Sequence, residues 1–328
     1  MKNIRNQHAV GSGGAVLPIA AAQWADDQLD YALFCANLWH FLPQTPPESY
    51  RRLYDAILQM QRSQGVGQQV ANAPTDIQSS LSATLAVLRR NPGIVCTYHT
   101  GAYRQICHTL AQEGIPYTLA VSAAVLRREG ETLRQNYFRL GSPAGPSGFQ
   151  LLDAESPGVV RSLLNELNAG RNLLLYVDGN TGAAVGQSRN LMTMPFLNGE
   201  IQVRKGIASL SYWVKKPIYP FLVSRFASEN AITPLCSTIA PHKGELRDAY
   251  ERRATTQLYQ ILASYVERYP EDWECWRYLH HWLQTDHSRY PSGMHALKKH
   301  GVAERWHRVV HQGRPYLLDR FSYRLYPV

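Results

Sequence analysis

Cysteine is sparse in this sequence, and its arrangement excludes two common architectures. Only five cysteines occur among 328 residues, and they are widely spaced, odd in number and never arranged as C-x-x-C. Neither a disulfide framework nor a cysteine-based zinc site is therefore expected. A reducing compartment, the cytoplasm, is the expected location.

Long apolar runs are also lacking. No stretch approaches the roughly 18 unbroken apolar residues that a membrane-spanning helix needs. The best N-terminal candidate, residues 15–24, is short, is followed by Asp26 and Asp27, and lacks the charged-then-apolar layout of a secretion signal. We expect at most peripheral contact with the inner membrane surface.

Charge is low but unbalanced. Because 45% of residues are hydrophobic and only 18% are charged, extensive disorder is not expected. The 34 basic and 25 acidic residues give a net charge of +9, which suits acidic partners such as nucleic acid, anionic lipid or an acidic carrier protein. The charges form scattered pairs without a long basic run, so nucleic-acid binding is supported by net charge alone. Nucleotide binding has no support, because G-x-G-x-x-G and Walker patterns are absent.

Strand-like and helix-like segments alternate in the middle of the chain. Short apolar runs end near Tyr98, Val121, Val177 and Val223, and segments of helical pattern lie between them. This alternation predicts an α/β fold with a largely parallel central sheet flanked by helices. The predicted organisation is a disordered lead-in (1–14) and helical arm within residues 1–85, an α/β domain over 86–285, and a C-terminal extension with a hairpin over 286–328.

Two polar motifs follow predicted strands. His99-Thr100-Gly101 follows the first strand, and a motif beginning with Asp178-Gly179 follows the third. Ligands of parallel sheets bind beyond the carboxyl ends of the strands, so neighbouring strands would place His99 and Asp178 in one crevice. A histidine with a pKa near 6.5 is suited to general-base catalysis. Gly101 would allow a substrate to approach the backbone closely, whereas the structural alternative is a hydrogen-bonded histidine without a catalytic role.

Five segments, in order along the chain, resemble one family. Residues 97–103 resemble the first motif of the lysophospholipid acyltransferase superfamily, especially the branch of the late (lauroyl and myristoyl) acyltransferases of lipid A biosynthesis. The other similar segments are the apolar strand with acid and glycine at 173–182, the counterpart of a Phe-Phe-Gly element at 194–199, residues 205–210 with 217–220, and the counterpart of a late Pro-Glu-x-Trp signature at 269–276.

The resemblance implies acyl transfer from a thioester of acyl carrier protein or coenzyme A to a hydroxyl or amine acceptor. In that family the motif histidine removes the acceptor's proton, and a carboxylate five positions later orients the histidine. Here His99 matches, but Arg104 occupies the acid position. Arginine cannot accept the imidazole N–H, and its charge disfavours imidazolium.

Three explanations for Arg104 remain open at the level of sequence. Asp178 orients His99 in its place; or Arg104 binds a carboxylate or phosphopantetheine phosphate while His99 works alone; or activity is lost. The last would leave a catalytically silent module that binds acyl carrier proteins through its basic surface.

The predicted site combines these inferences. We expect His99 to act as general base, with Asp178 and Arg104 completing the catalytic group, and we expect neither metal nor cofactor. Because the N-terminal anchor typical of the lipid A branch is not found, a small-molecule or carrier-bound acceptor in a specialised pathway is expected. Trp273, Trp276 and Trp282 are predicted to be core residues. The predicted substrate-binding residues are Gly101, Tyr103, Gly179, Asn180, Thr181, Arg204 and Lys205.

Overall fold

The computed structural model describes residues 17–18, 27–63, 75–179, 190–225, 231–234, 238–283 and 305–328. The predicted disordered lead-in over residues 1–14 lies outside these ranges. The chain divides into two compact units, one formed by Met1–Tyr50 with Trp276–Val328 and the other by Arg51–Cys275.

The described elements are named here in chain order. The helices are α1 (Asp27–Phe41), α2 (Tyr50–Ser63), α3 (Thr75–Arg90), α4 (Gln105–Gln112), α5 (Ala123–Arg139), α6 (Val159–Asn168), α7 (Gly206–Val214) and α8 (Arg247–Arg268). The strands are β1 (Leu17–Pro18), β2 (Ile94–Thr97), β3 (Tyr117–Val121), β4 (Phe149–Asp153), β5 (Asn172–Tyr176), β6 (Leu191–Phe196), β7 (Gly199–Arg204), β8 (Ile218–Ser224), β9 (Ala231–Pro234), β10 (Trp306–His311), β11 (Arg314–Asp319) and β12 (Arg324–Pro327).

A six-stranded sheet forms the centre of the Arg51–Cys275 unit. Its strand order is β4-β3-β5-β2-β8-β9, with every neighbouring pair parallel except the antiparallel edge pair β8 and β9. Every residue of β2 and β8 is buried, as expected for strands covered on both faces by helices. The predicted mixed α/β fold with a mostly parallel sheet is therefore confirmed.

The other unit is built on a small antiparallel sheet with the order β1-β12-β11-β10. Strands β10 and β11 form a hairpin through Gln312 and Gly313, which both adopt positive φ, as the type I′ two-residue turn requires. Helix α1 packs Leu29, Leu33 and Ala36 into a core shared with the C-terminal strands.

The borders of the two units differ from the predicted domain borders after residues 85 and 285. Helix α1 shares its core with the C-terminal strands, so the beginning and end of the chain belong to one unit rather than to a separate arm and extension. Helix α3 packs against β9 and so belongs to the sheet unit. Within the described ranges, no helix combines the length and apolar character required to cross a bilayer.

Buried histidines make the unit that contains α1 sensitive to acid. Burial lowers the pKa of His280 to about 3 and that of His40 to about 4, from an ordinary value of 6.5. The unfolded chain therefore binds protons near pH 6.5 that the folded chain takes up only at much lower pH. The contribution of these two neutral histidines to the unfolding free energy is therefore fully present above pH 6.5. It is lost progressively as the pH falls from 6.5 towards the lowered pKa values.

We predict that His280→Gln reduces this loss. Urea unfolding of the wild type at about pH 7 and pH 4.5 should show a fall in unfolding free energy to which each of the two histidines contributes on the order of 2 kcal/mol. The variant should lose less stability between the two pH values. His242→Gln, at an exposed histidine, is the control and should behave as the wild type. An unchanged pH dependence in His280→Gln would contradict the assignment.

Candidate active site

The candidate site lies where two neighbouring parallel strands end. Strands β2 and β5 pair in register up to Thr97 and Tyr176, so the residues that follow them emerge at the same edge of the sheet. The Nδ1 atom of His99 lies 2.8 Å from Oδ1 of Asp178. The two predicted motifs, 79 positions apart in sequence, thus form one hydrogen-bonded pair.

Several donors surround the Asp178 carboxylate, whose side chain is 0% exposed. Its Oδ2 accepts hydrogen bonds from the backbone N–H of His99 at 2.9 Å and from Nε1 of Trp273 at 2.8 Å. Burial alone would raise the pKa of Asp178, but the His99 ring and these donors hold that pKa below its usual value. An ionised carboxylate only accepts hydrogen bonds, so Asp178 keeps the proton of His99 on Nδ1 and leaves the Nε2 lone pair available in the neutral ring.

The His99 ring lies between two tyrosines. Tyr176 stacks on it with ring centroids 4.6 Å apart, and Tyr103 meets it edge-on at 4.8 Å. The His99 side chain remains 21% exposed, and no group in the described part of the chain forms a hydrogen bond with Nε2.

The surroundings of His99 also set its basicity. Burial alone would lower the pKa of His99, but Asp178, assisted by Glu274, raises that pKa above 6.5. The ring is therefore a stronger base than free histidine, and Nε2 is the atom that can take a proton.

A largely apolar cavity of about 560 Å³ opens beside this ring. Its volume falls within the roughly 300–1,000 Å³ typical of small-molecule sites. It extends from the ends of β3 and β5 to helices α5, α6 and α7, and its polar lining includes His99, Arg104, Glu129 and Arg204. The large apolar side chains of its wall are Leu119, Val121, Val125, Leu133, Val159, Val160, Leu163, Leu175, Val177, Ile207, Leu210 and Trp213.

One group of side chains has the spacing of metal ligands, namely His99, Asp178 and Cys275, whose ligand atoms lie within 4.8 Å of one another. Hydrogen-bond donors already occupy the Asp178 oxygens, including the Cys275 thiol at 3.6 Å. Burial raises the pKa of that thiol well above its ordinary value, whereas a metal ion requires the thiolate. This chemistry favours a hydrogen-bonded carboxylate over a metal centre.

Arg104, at the position of the family's acid, forms its ion pair with Glu129 and not with Asp178. Its Nη2 lies 2.6 Å from Oε2 of Glu129, and Arg128 binds the other oxygen of that carboxylate. Arg104 also borders the cavity. Of the three explanations left open by the sequence, the contacts favour the one in which Asp178 orients His99.

The predicted substrate-binding residues separate into three groups. Tyr103, Gly179 and Arg204 line the cavity, whereas Asn180 and Thr181 lie outside the described residues. Lys205 is not among the residues that line the cavity, and its Nζ lies 3.0 Å from Glu251 and 3.4 Å from Asp248. The prediction that Lys205 lines the groove is corrected, because ion pairs with α8 hold its ammonium group.

Gly101 is likewise not among the residues that line the cavity. It adopts a φ of +52°, and a Cβ at this position would lie 2.7 Å from the carbonyl oxygen of Val223. Its lack of a side chain therefore allows close approach of the end of β8. Gly101 shapes the loop that carries His99 and does not border the cavity.

The contacts of one segment, residues 272–275, with Asp178 were not predicted from the sequence. Trp273 is fully buried, as a core residue should be, but it also donates a hydrogen bond to Asp178 across 95 positions. The resemblance of residues 269–276 to a family signature pointed to this segment without indicating the contact.

Neither a family model nor a curated protein sequence matches the chain.

Proposed function

We propose that this protein is an acyltransferase of glycerolipid acyltransferase-like fold, which moves an acyl group from a carrier-protein or coenzyme A thioester to a hydroxyl or amine acceptor. The observation that carries the proposal is the His99 ring, held 2.8 Å from Asp178 at the wall of a largely apolar cavity. The ring supplies a base, and the cavity suits an acyl chain. The resemblance of residues 97–103 to the acyltransferase motif supports the same reaction.

In the proposed reaction, Nε2 of His99 accepts the proton of the acceptor's hydroxyl or amine while that oxygen or nitrogen attacks the thioester carbonyl carbon. The tetrahedral intermediate then collapses, the carbon–sulfur bond breaks, and the imidazolium returns its proton to the leaving thiolate. Asp178 stays ionised throughout and stabilises the imidazolium. The Tyr176 ring, stacked on the imidazole, offers its π face to the transient cation.

Acyl-transfer assays with a panel of donors test this proposal. The purified protein is incubated with labelled acyl-coenzyme A and acyl-carrier-protein thioesters and with hydroxyl and amine acceptors, and labelled products are separated. We expect transfer from at least one donor. Binding of acyl carrier protein without turnover of any donor would instead support the silent binding module, for which the replacement of the motif acid by Arg104 is the main argument.

Arg204 is the candidate contact for an anionic part of the substrate. It lines the cavity and forms no ion pair or side-chain hydrogen bond within the described part of the chain, whereas Arg104 is paired with Glu129. An unpaired guanidinium suits the phosphate of a phosphopantetheine arm.

We predict that Arg204→Met removes the preference for a phosphorylated donor. The wild type should use an acyl-4′-phosphopantetheine thioester about tenfold better in kcat/KM than the acyl-pantetheine thioester without phosphate, since a charged hydrogen bond contributes about 1.5 kcal/mol or more. The variant should use both donors equally. Arg252→Met, at an exposed arginine of α8, is the matched control. Equal losses with both donors would contradict a phosphate contact.

The substitution Arg104→Glu restores the family's motif acid and tests whether it is needed. We expect a loss of kcat/KM of roughly fivefold to tenfold, because Asp178 already holds the ring and the new carboxylate would face Glu129. Arg104→Gln, which removes the charge without adding repulsion, should lose less. Acyl-transfer rates and urea midpoints of both variants provide the check, and a gain of activity in Arg104→Glu would show that Asp178 does not replace the motif acid.

A further inference from the structure

We propose that Trp273 is a positioning residue, whose indole N–H fixes the Asp178 carboxylate so that its other oxygen holds the His99 ring with Nε2 towards the cavity. The inference rests on the proposed function for its effect on catalysis. The contact itself is tested separately, through the properties of the His99 ring.

The two carboxylate oxygens of Asp178 have different hydrogen-bond partners. Oδ2 accepts from Trp273 Nε1 at 2.8 Å and from the His99 backbone N–H at 2.9 Å, while Oδ1 faces Nδ1 of the ring. Two donors on one oxygen prevent the carboxylate from rotating about its bond to the chain. The orientation of an imidazole depends on such partners of its own hydrogen-bond acceptor.

The second support is the backbone that carries the indole. The N–H of Glu274 donates to the carbonyl of His99 at 3.1 Å, and the N–H of Gly101 donates to the carbonyl of Asp272 at 3.0 Å. Thr100 and Trp273 thereby form an antiparallel bridge. Backbone hydrogen bonds on both sides of Trp273 thus connect its segment to the loop that carries His99. They fix the position of the indole relative to that loop.

The third support is the anchoring of this segment to the sheet. Asp272 is fully buried, and its carboxylate accepts hydrogen bonds from the backbone and guanidinium of Arg225 and from the hydroxyl of Tyr265. Arg225 directly follows β8, so the segment is tied to a strand that pairs with β2. Phe196 packs against the Trp273 ring, with centroids 5.6 Å apart.

Removal of the indole N–H has two separable consequences. Asp178 would lose one of the donors that share its charge, so the carboxylate would interact more strongly with imidazolium and the pKa of His99 would rise. The carboxylate would also be held by one donor fewer, since the His99 backbone N–H would be left as the remaining close donor on Oδ2, and a smaller fraction of molecules would present Nε2 to the substrate. A tryptophan that only filled space would affect stability without changing the pKa of His99.

The test is Trp273→Phe, which keeps an aromatic ring but removes the N–H. The pKa of His99 is measured by NMR titration of protein labelled with ¹³C at the histidine Cε1 positions, and kcat and KM are measured for the best thioester. We expect the pKa of His99 to rise by roughly half a unit or more. We also expect kcat to fall about 10- to 100-fold with little change in KM, as for the loss of other partners that orient a histidine.

A second variant covers the case in which phenylalanine disturbs packing. Benzothienylalanine at position 273 replaces only the indole N–H by sulfur, and should reproduce both effects in a protein whose packing around the ring is preserved. Trp276→Phe removes a different buried indole and should leave the pKa of His99 unchanged. An unchanged pKa and kcat in the folded variants would overturn the inference. If the wild type transfers no acyl group, the proposed function fails, whereas the titration still decides whether Trp273 acts on His99.

Discussion

His99→Ala should lower kcat/KM for acyl transfer by about 10²–10⁴-fold, the usual contribution of a positioned general base. The acceptor would have to lose its proton to water, while the apolar cavity would still bind the acyl chain. The rate is followed as release of thiol from the thioester donor in the presence of acceptor, and donor binding is measured by calorimetry. We expect a large fall in kcat with little change in donor affinity.

His108→Ala is the matched control for this experiment. His108 lies on α4, is partly exposed and does not border the cavity, so its replacement should leave the rate unchanged. The wild-type rate should also rise with pH through an apparent pKa above 6.5, since Asp178 raises the pKa of His99 and only the neutral ring accepts a proton. Equal rates in His99→Ala and the wild type would remove His99 from the mechanism.

The central sheet was predictable where the strands are continuous apolar runs. Strands β2, β5 and β8 are almost entirely buried, and burial on both faces produces a run that the sequence displays directly. Strand β4 and the hairpin of β6 and β7 were not predicted. The turn of that hairpin places Leu197 at a φ of +53°, a conformation that leucine rarely adopts. The residue preferences of turns therefore did not indicate a turn at this position.

The candidate site was predictable only in part, for a related reason. The position of His99 and Asp178 after buried strands could be read from the sequence, because polar residues follow the apolar runs. That β2 and β5 are neighbours depends on the strand order, which no local pattern encodes. The same limit applies to Trp273: its burial follows from its side chain, but its hydrogen bond to Asp178 depends on how residues 272–274 lie against the His99 loop.

Asp178→Asn should produce a loss comparable to that of His99→Ala, about 10²–10⁴-fold in kcat/KM. Asparagine has nearly the same shape but presents an NH₂ group where one carboxylate oxygen stood. Because both oxygens of Asp178 face donors, the amide either opposes a donor or makes the imidazole change its tautomer, which places the proton on Nε2 and removes the base. The rate profile should also shift to lower pH, because the carboxylate that raises the pKa of His99 is gone. Asp248→Asn, at an exposed acid of α8, should be neutral in rate.

A double-mutant cycle separates a shared role from two independent ones. If Asp178 acts only through the ring, the protein that carries both His99→Ala and Asp178→Asn should be no slower than His99→Ala alone, since residues that work as a unit are not additive. Multiplied losses would mean that the carboxylate contributes to the reaction apart from His99. Urea midpoints of all four proteins are needed beside the rates, because a buried carboxylate surrounded by donors also supports the fold. If the double variant is no slower than either single variant and is as stable as Asp178→Asn, the two residues act as one unit, in which Asp178 serves the reaction only through His99.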